Sequence, residues 1–268
     1  MNAWSAKGIG MPQRASEPEV RLGYLTGEII DSARYDKAFL PIGATEYHGP
    51  HLPYGTDTLT AEAIAEGIAR ELGDGLVLPP IAVGVSHHHL PWKWTLSLRP
   101  DTLMLVIKDI AESLLQHGIE KLVIVSAHDG NPGPSEAAAR ILSQEHTMKV
   151  AIFRGWQGTA ARLLAPDWDI DGDHVGQSEL SVVLYVAPET ANQAAATVQP
   201  NQFTDLPLEL IDTFDGTVPL GYSGDATQAS AEQGEAIIRA LVNHVAPFIR
   251  ELDARGWKRG TWMSRIED

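Results

Sequence analysis

The sequence predicts an α/β fold: a single-domain layered sandwich with a mostly parallel central sheet. Two observations carry this. Phe39-Leu40-Pro41-Ile42 and the run KLVIVS from Lys121 to Ser126 are apolar without alternation, the pattern of strands covered on both faces. Strand, polar loop and helical-period segment then alternate along the chain, as right-handed crossovers in a layered α/β fold require. Ligands of such sheets sit beyond the carboxyl ends of the strands. Two polar loops, 43–57 and 127–134, leave strands at that end and are expected to face one crevice.

Taken in order, residues 1–20 carry Gly8, Gly10, Pro12 and Pro18 with little periodicity and read as an N-terminal arm. Residues 21–268 read as one domain, without repeats or low-complexity tracts. Ala61, Ile64, Ala65, Ile68, Ala69 and Leu72 have helical spacing, with Asp57 or Thr58 placed to cap the helix and Gly73 to end it. Residues 75–85 read as a strand interrupted by Pro79-Pro80, followed by the loop SHHHLPWKWTLSL. Pro100-Asp101-Thr102 starts a helix with Leu103, Val106, Ile107, Ile110, Leu114 and Leu115 inward, closed by Gly118. A helix is expected over 135–146, a strand over 149–153 and an apolar helix over 178–187. Residues 188–230 read as long loops, and a last helix runs over 231–255 with Pro247 inside it.

Composition narrows the function. Twenty basic against 35 acidic side chains give a formal charge of −15, which disfavours nucleic acid and anionic membranes as partners. No eighteen apolar residues run together and no signal-like segment opens the chain, so a soluble, cytoplasmic protein is expected. There is no cysteine; thiol nucleophiles and Cys-type metal sites are excluded, and a metal has to be held by His, Asp and Glu.

Three polar clusters offer such donors. Glu46, Tyr47, His48, His51 and Asp57 lie within twelve positions after the first apolar run. Ser126-Ala127-His128-Asp129-Gly130-Asn131 follows the second. Asp171, Asp173, His174, Gln177 and Glu179 precede and open a helix, where acidic residues are also favoured by the helix dipole alone. Clusters at strand ends suggest a pair of divalent ions sharing a carboxylate, and Asp57, at a helix start, is placed to be that bridge. Trp92 and Trp94 serve either as packing or as a stacking surface for a ring. No Gly-x-Ser-x-Gly elbow, Walker loop or Gly-x-Gly-x-x-Gly is present.

The stretches PIGATEYHGPHLPYGTD, SHHHLPWKWTLSLRPDTL, SAHDGN and DHVGQSELS together resemble the creatininase (creatinine amidohydrolase) family over about 39–181. The resemblance implies a creatininase-like α/β domain, a homo-oligomer that is often a hexamer, and two divalent metal ions (zinc, manganese or iron). By motif position it assigns Glu46, His128 and a shared Asp57 to one ion, and His48 with Asp57 to the other. His174 matches a histidine taken to donate a proton or anchor substrate, and His89 one that lines the site; His87 and His88 read as packing or solvent-facing. The chain departs from the family where creatininase itself has a glutamate at the position of Gly130. Glu179 is therefore the expected last ligand of the second ion, and with His174 a catalytic candidate, with Asp129 in reserve. Trp92-Lys93-Trp94-Thr95 stands where many members have Phe-Pro-Gly-Thr, which argues against creatinine as substrate.

These readings converge on a metal-dependent hydrolase opening a small cyclic substrate, a cyclic amide first, with His89, Trp92 and Trp94 contacting it. Hydrolytic C–C ring opening of an inosose-type keto-polyol is the alternative within the enzyme class. A non-catalytic metal- or sugar-binding protein is the alternative outside it.

Overall fold

Lys37–Ile42 (β1), Gly75–Val77 (β2), Lys121–Ser126 (β3) and Lys149–Phe153 (β4) pair in parallel in the order β2-β1-β3-β4. The structure, a computed structural model, describes residues 18–165, 174–200, 211–216 and 218–258. Along β1 and β3 the side chains alternate between two cores. Phe39, Val123 and Val125 face one; Ala38, Leu40, Ile42, Leu122 and Ile124 face the other. A strand apolar at every position is what a sheet between two helical layers demands.

The helices are Gly27–Ser32 (α1), Thr56–Leu72 (α2), Pro100–Gln116 (α3), Pro132–Glu145 (α4), Trp156–Leu164 (α5), Gln177–Val186 (α6) and Ala231–Ala254 (α7). α2, α5, α6 and α7 cover the first face, α3 and α4 the second. The architecture is thus the mixed α/β fold with a parallel central sheet that the apolar runs predict. Residues 188–230 contain short 3-10 turns and a two-residue antiparallel pairing of Val198–Gln199 with Gly224–Asp225. No helix among the described residues is long and apolar enough to cross a membrane.

β1 lies inside the sheet yet contains Pro41, which has no N–H to donate. Its carbonyl accepts from the Ile81 amide at 3.0 Å, and a strand residue's nitrogen and carbonyl point the same way. The bare nitrogen therefore faces the side where β2 has already ended at Val77 and Pro79-Pro80 intervene. The strand expected over 75–85 is accordingly only three residues long, and Ile81 rejoins Ile42 as an isolated bridge.

Other boundaries also differ from the sequence reading. Neither Asp57 nor Thr58 caps α2: Gly55 holds the cap position, and Asp57 is the second helical residue, free to aim its carboxylate elsewhere. α4 begins at Pro132, where a proline's missing N–H costs nothing. α5 was not anticipated, because Gly158 and Thr159 interrupt its apolar pattern. Of the arm expected over 1–20, residues 18–20 are described; Val20 is buried and its carbonyl accepts from Val77 at 2.8 Å, so this end belongs to the sheet edge. Asp171 and Asp173 lie outside the described residues.

At the amino ends of the strands Lys37 is completely buried. Its Nζ lies 2.6 Å from Asp74, 3.2 Å from Asp36 and 3.2 Å from Asp253, and Lys121 pairs with Asp36 and Asp253. Burial opposes charge on Lys37, but the hydrogen bond it donates to Asp74 and the nearby carboxylates hold its pKa above the ordinary lysine value. Its contribution is therefore complete below the ordinary lysine pKa and is lost as pH rises through the raised one. Lys37→Met removes the central cation while Lys121 still faces Asp36 and Asp253, and should lower unfolding free energy by about 1–3 kcal/mol at neutral pH. Urea denaturation checks this, and an unchanged midpoint would contradict it.

Candidate metal centre

The parallel register sets Ile42 opposite Ser126, so the loops after β1 and β3 leave the sheet side by side. Gly43 turns the first loop against α2: a Cβ there would lie 2.3 Å from the Thr58 nitrogen. Gly130 has the same role in the second, where a Cβ would meet the Val85 carbonyl oxygen at 1.9 Å. Asn131, fully buried, ties the loops together, donating to the Gly43 carbonyl at 2.9 Å and accepting from the Val85 amide at 3.0 Å. Its role carries no sequence signal beyond its place in the second cluster.

Between the loops four ionisable side chains meet, all nearly excluded from solvent: Glu46, His48, Asp57 and His128. His48 Nδ1 donates to the Glu46 carbonyl at 3.1 Å, leaving Nε2 3.1 Å from Asp57 Oδ1. His128 Nε2 donates to the Val85 carbonyl at 3.0 Å, with Ser86 Oγ at 3.2 Å. Its Nδ1 then points inward, 3.2 Å from Asp57 Oδ2 and 3.4 Å from Glu46 Oε1. Backbone acceptors on the outer nitrogens thus decide which nitrogen of each ring is available, the arrangement found around histidine metal ligands. Glu46 Oε2 is buried without a hydrogen bond, although such oxygens are ordinarily satisfied, and Asp57 Oδ2 has only the His128 contact. The donor set fits divalent cations.

Glu179, from the first turn of α6, completes a second grouping. One donor atom each from His48, Asp57 and Glu179 lie within 4.8 Å of one another, as do donors of Glu46, His48 and His174 and of Glu46, His88 and His128. Gln157 donates to Glu179 Oε1 at 3.2 Å and the Val175 amide to Oε2 at 2.8 Å. Asp129 is exposed and belongs to none of these groups. Neither does His51, whose Nε2 instead donates to the Val175 carbonyl at 2.9 Å.

His89 and His174 flank the carboxylates, their rings 4.6 Å apart, with His174 5.1 Å from His48. His174 Nε2 has no hydrogen-bond partner. His88, read from sequence as packing or solvent-facing, is half-buried; it stacks parallel on His128 at 5.4 Å and meets Phe214 at 4.6 Å. Nothing in a run of three histidines distinguishes the middle one; only its place in a 3-10 turn brings it inward while His87 stays exposed. Trp92 lies nearly parallel to Tyr47, centroids 6.4 Å apart, and Gly221, at φ 71°, lets the chain cross this pair where a Cβ would come within 2.7 Å of Trp92. Trp94 does not join them. It is 80% exposed, makes no ring contact among the described residues, and is held at φ 68°.

Burial opposes charge throughout, yet neighbouring opposite charges prevail on the central four. Asp57 raises His48 to about 10, and Glu46 and Asp57 hold His128 well above the ordinary histidine value. Glu46 and Asp57 are correspondingly lowered. His89, dominated by burial, falls to about 4, and burial with the charge on His48 keeps His174 neutral.

The creatininase (creatinine amidohydrolase) family pattern matches residues 25–249. The chain is 31% identical over 219 residues to the mycofactocin precursor peptide peptidase of Mycolicibacterium smegmatis, covering 79% of this chain and 83% of that one. It is 29% identical to the creatinine amidohydrolase of Pseudomonas putida, covering 79% and 88%. Among solved structures, a manganese form of creatininase superposes with a TM-score of 0.73 at 27% identity, covering 87% of this chain and 98% of that one. A zinc–zinc form of a creatininase mutant gives 0.72 at 26%, covering 88% and 98%.

Two predictions follow from the geometry. Metal uptake by metal-free protein near neutral pH should release about two protons per chain, from His48 and His128, and affinity should rise with pH; titration with Mn2+ in weak buffer measures this, and uptake without acidification would contradict it. Trp94→Gly removes a left-handed tryptophan and should raise stability by about 0.5–1 kcal/mol net of the glycine's extra unfolded-state entropy, read from the urea midpoint.

Proposed function

The chain belongs to the creatininase family, and from that premise we propose that it is a binuclear metal-dependent hydrolase cleaving an amide C–N bond. The observation that carries this reading is the pair of buried carboxylates, Glu46 and Asp57, the first with Oε2 lacking any hydrogen bond, set between two histidines whose inward nitrogens are chosen by backbone acceptors. Asp57 would be shared, with His48 Nε2 and Glu179 holding one ion beside it and Glu46 and His128 Nδ1 holding the other. Zinc, manganese and iron all suit such a nitrogen and oxygen set.

When bound, the two ions would polarise the amide carbonyl and lower the pKa of water to supply a nucleophile at neutral pH. His174, kept neutral and with a free Nε2 beside the ligands, takes up the proton of the attacking water and passes it to the departing nitrogen. His89, Tyr47, Trp92 and Phe214 wall the site and orient the substrate; the exposed Trp94 belongs to its rim. A cyclic amide remains the first substrate class, through the likeness to creatinine amidohydrolase. A peptide amide is the second reading, favoured by the likeness to a precursor-peptide peptidase over four-fifths of the chain. The reading includes a cytoplasmic homo-oligomer acting on small molecules rather than nucleic acid or membranes, in keeping with the charge of −15.

Asp57→Ala should bring bound metal from about two ions per chain to near zero, because one carboxylate serves both ions, and abolish turnover. Glu179→Gln should cost only one ion. Elemental analysis of the purified proteins reads both; an active, metal-free Asp57→Ala protein would overturn the mechanism. Screening the manganese- or zinc-loaded protein against lactams, hydantoins, short peptides and inososes assigns the bond, and turnover confined to inososes would replace C–N by C–C cleavage.

A further inference from the structure

Val175 is a fully buried, β-branched residue at φ 69°, a conformation that is strained for such a residue and persists only where surroundings impose it. Two contacts impose it. Its amide donates to Glu179 Oε2 at 2.8 Å, and its carbonyl accepts from His51 Nε2 at 2.9 Å. His51 is 1% exposed and sits 124 residues earlier in the chain, in the loop that carries Glu46 and His48 and leads into Asp57. Since the carbonyl can only accept, His51 carries its proton on Nε2. Its Nδ1 is buried without a hydrogen bond, so the ring is a single-purpose donor rather than a ligand. The loop is fixed on its own account, the His51 carbonyl accepting from the Asn192 amide at 2.9 Å and the ring lying edge-on to Tyr222 at 5.7 Å.

We propose that His51 is a positioning residue for the ion held by Glu179, acting through the left-handed Val175, whose amide orients the Glu179 carboxylate. This rests on the two-ion reading. The contact links the first ligand loop to α6, the only described element that brings a carboxylate to His48 and Asp57 from outside that loop. It accounts for a histidine that offers no donor to either ion, and for a strained valine where glycine would be free. Gln157, on the other oxygen of Glu179 at 3.2 Å, constrains the carboxylate from the opposite side.

The test is stepwise Mn2+ binding to the metal-free full-length protein, followed by calorimetry, for wild type, His51→Phe, His51→Gln, Glu179→Gln and the His51→Phe/Glu179→Gln double variant. His51→Phe should weaken one ion by about 10–100-fold and leave the other unchanged. His51→Gln, which keeps a side-chain N–H donor, should recover part of the loss. In the Glu179→Gln background His51→Phe should have no further effect, because the carboxylate it positions is gone. Wild-type binding of two ions together with undiminished binding by His51→Phe would overturn the proposal. So would equal weakening of both ions by the folded His51→Gln protein, or additive losses in the double variant. Wild type binding fewer than two ions would instead overturn the two-ion reading itself.

Discussion

The parallel register that sets Ile42 against Ser126 is the constraint from which the rest of the centre descends. A slip of one residue would send every side chain of β1 to the opposite core, and both faces of the sheet are buried under helices. With the register fixed, two loops leave the carboxyl end of the sheet side by side and glycines at 43 and 130 allow them to pass within contact distance of α2 and of Val85. Asp57 is then delivered between His48 and His128 by the first turn of α2. No part of this requires the loops to find one another; the sheet has already placed them.

Electrostatics take over where packing ends. Four ionisable groups in a space closed to water are costly unless paired. The protein pairs them as two imidazoles with two carboxylates, while holding each ring by its far nitrogen to a main-chain carbonyl. Protons on the inward nitrogens serve the metal-free state, and the same nitrogens are free to change partner. Glu46 Oε2, buried without a hydrogen bond, marks where the pairing is incomplete.

What could be read from the chain follows the range of the interaction. Period and continuity are local, so β3 and β4 were legible to the residue and the sandwich followed from them. The first ligand cluster was legible because its members crowd within twelve positions. The start of α2 was misplaced because Asp57 has the chemistry of a cap, while its carboxylate is aimed into the centre. Glu179 stood in the third donor cluster, but family likeness was needed to single it out as a ligand, since a glutamate in a first helical turn is ordinary. The inward turn of His88, the clamp of Asn131 and the reach of His51 to Val175 depend on contacts 40 to 124 positions away, and no local pattern encodes them. Trp94 is half an exception: it stands where many relatives have glycine, and a left-handed backbone is the physical meaning of that difference.

The two ends of the sheet solve one problem in opposite ways. At the amino ends Asp36, Asp74 and Asp253 converge closely enough to resemble a cation cage, but the chain supplies the cation itself as the covalently tethered ammonium of Lys37. That pole cannot be emptied by a chelator or exchanged for another ion. At the carboxyl ends the positive charge is left to be borrowed from solution. The protein therefore keeps a permanent anchor beneath a replaceable one, and trading its ions need not disturb the frame that holds them.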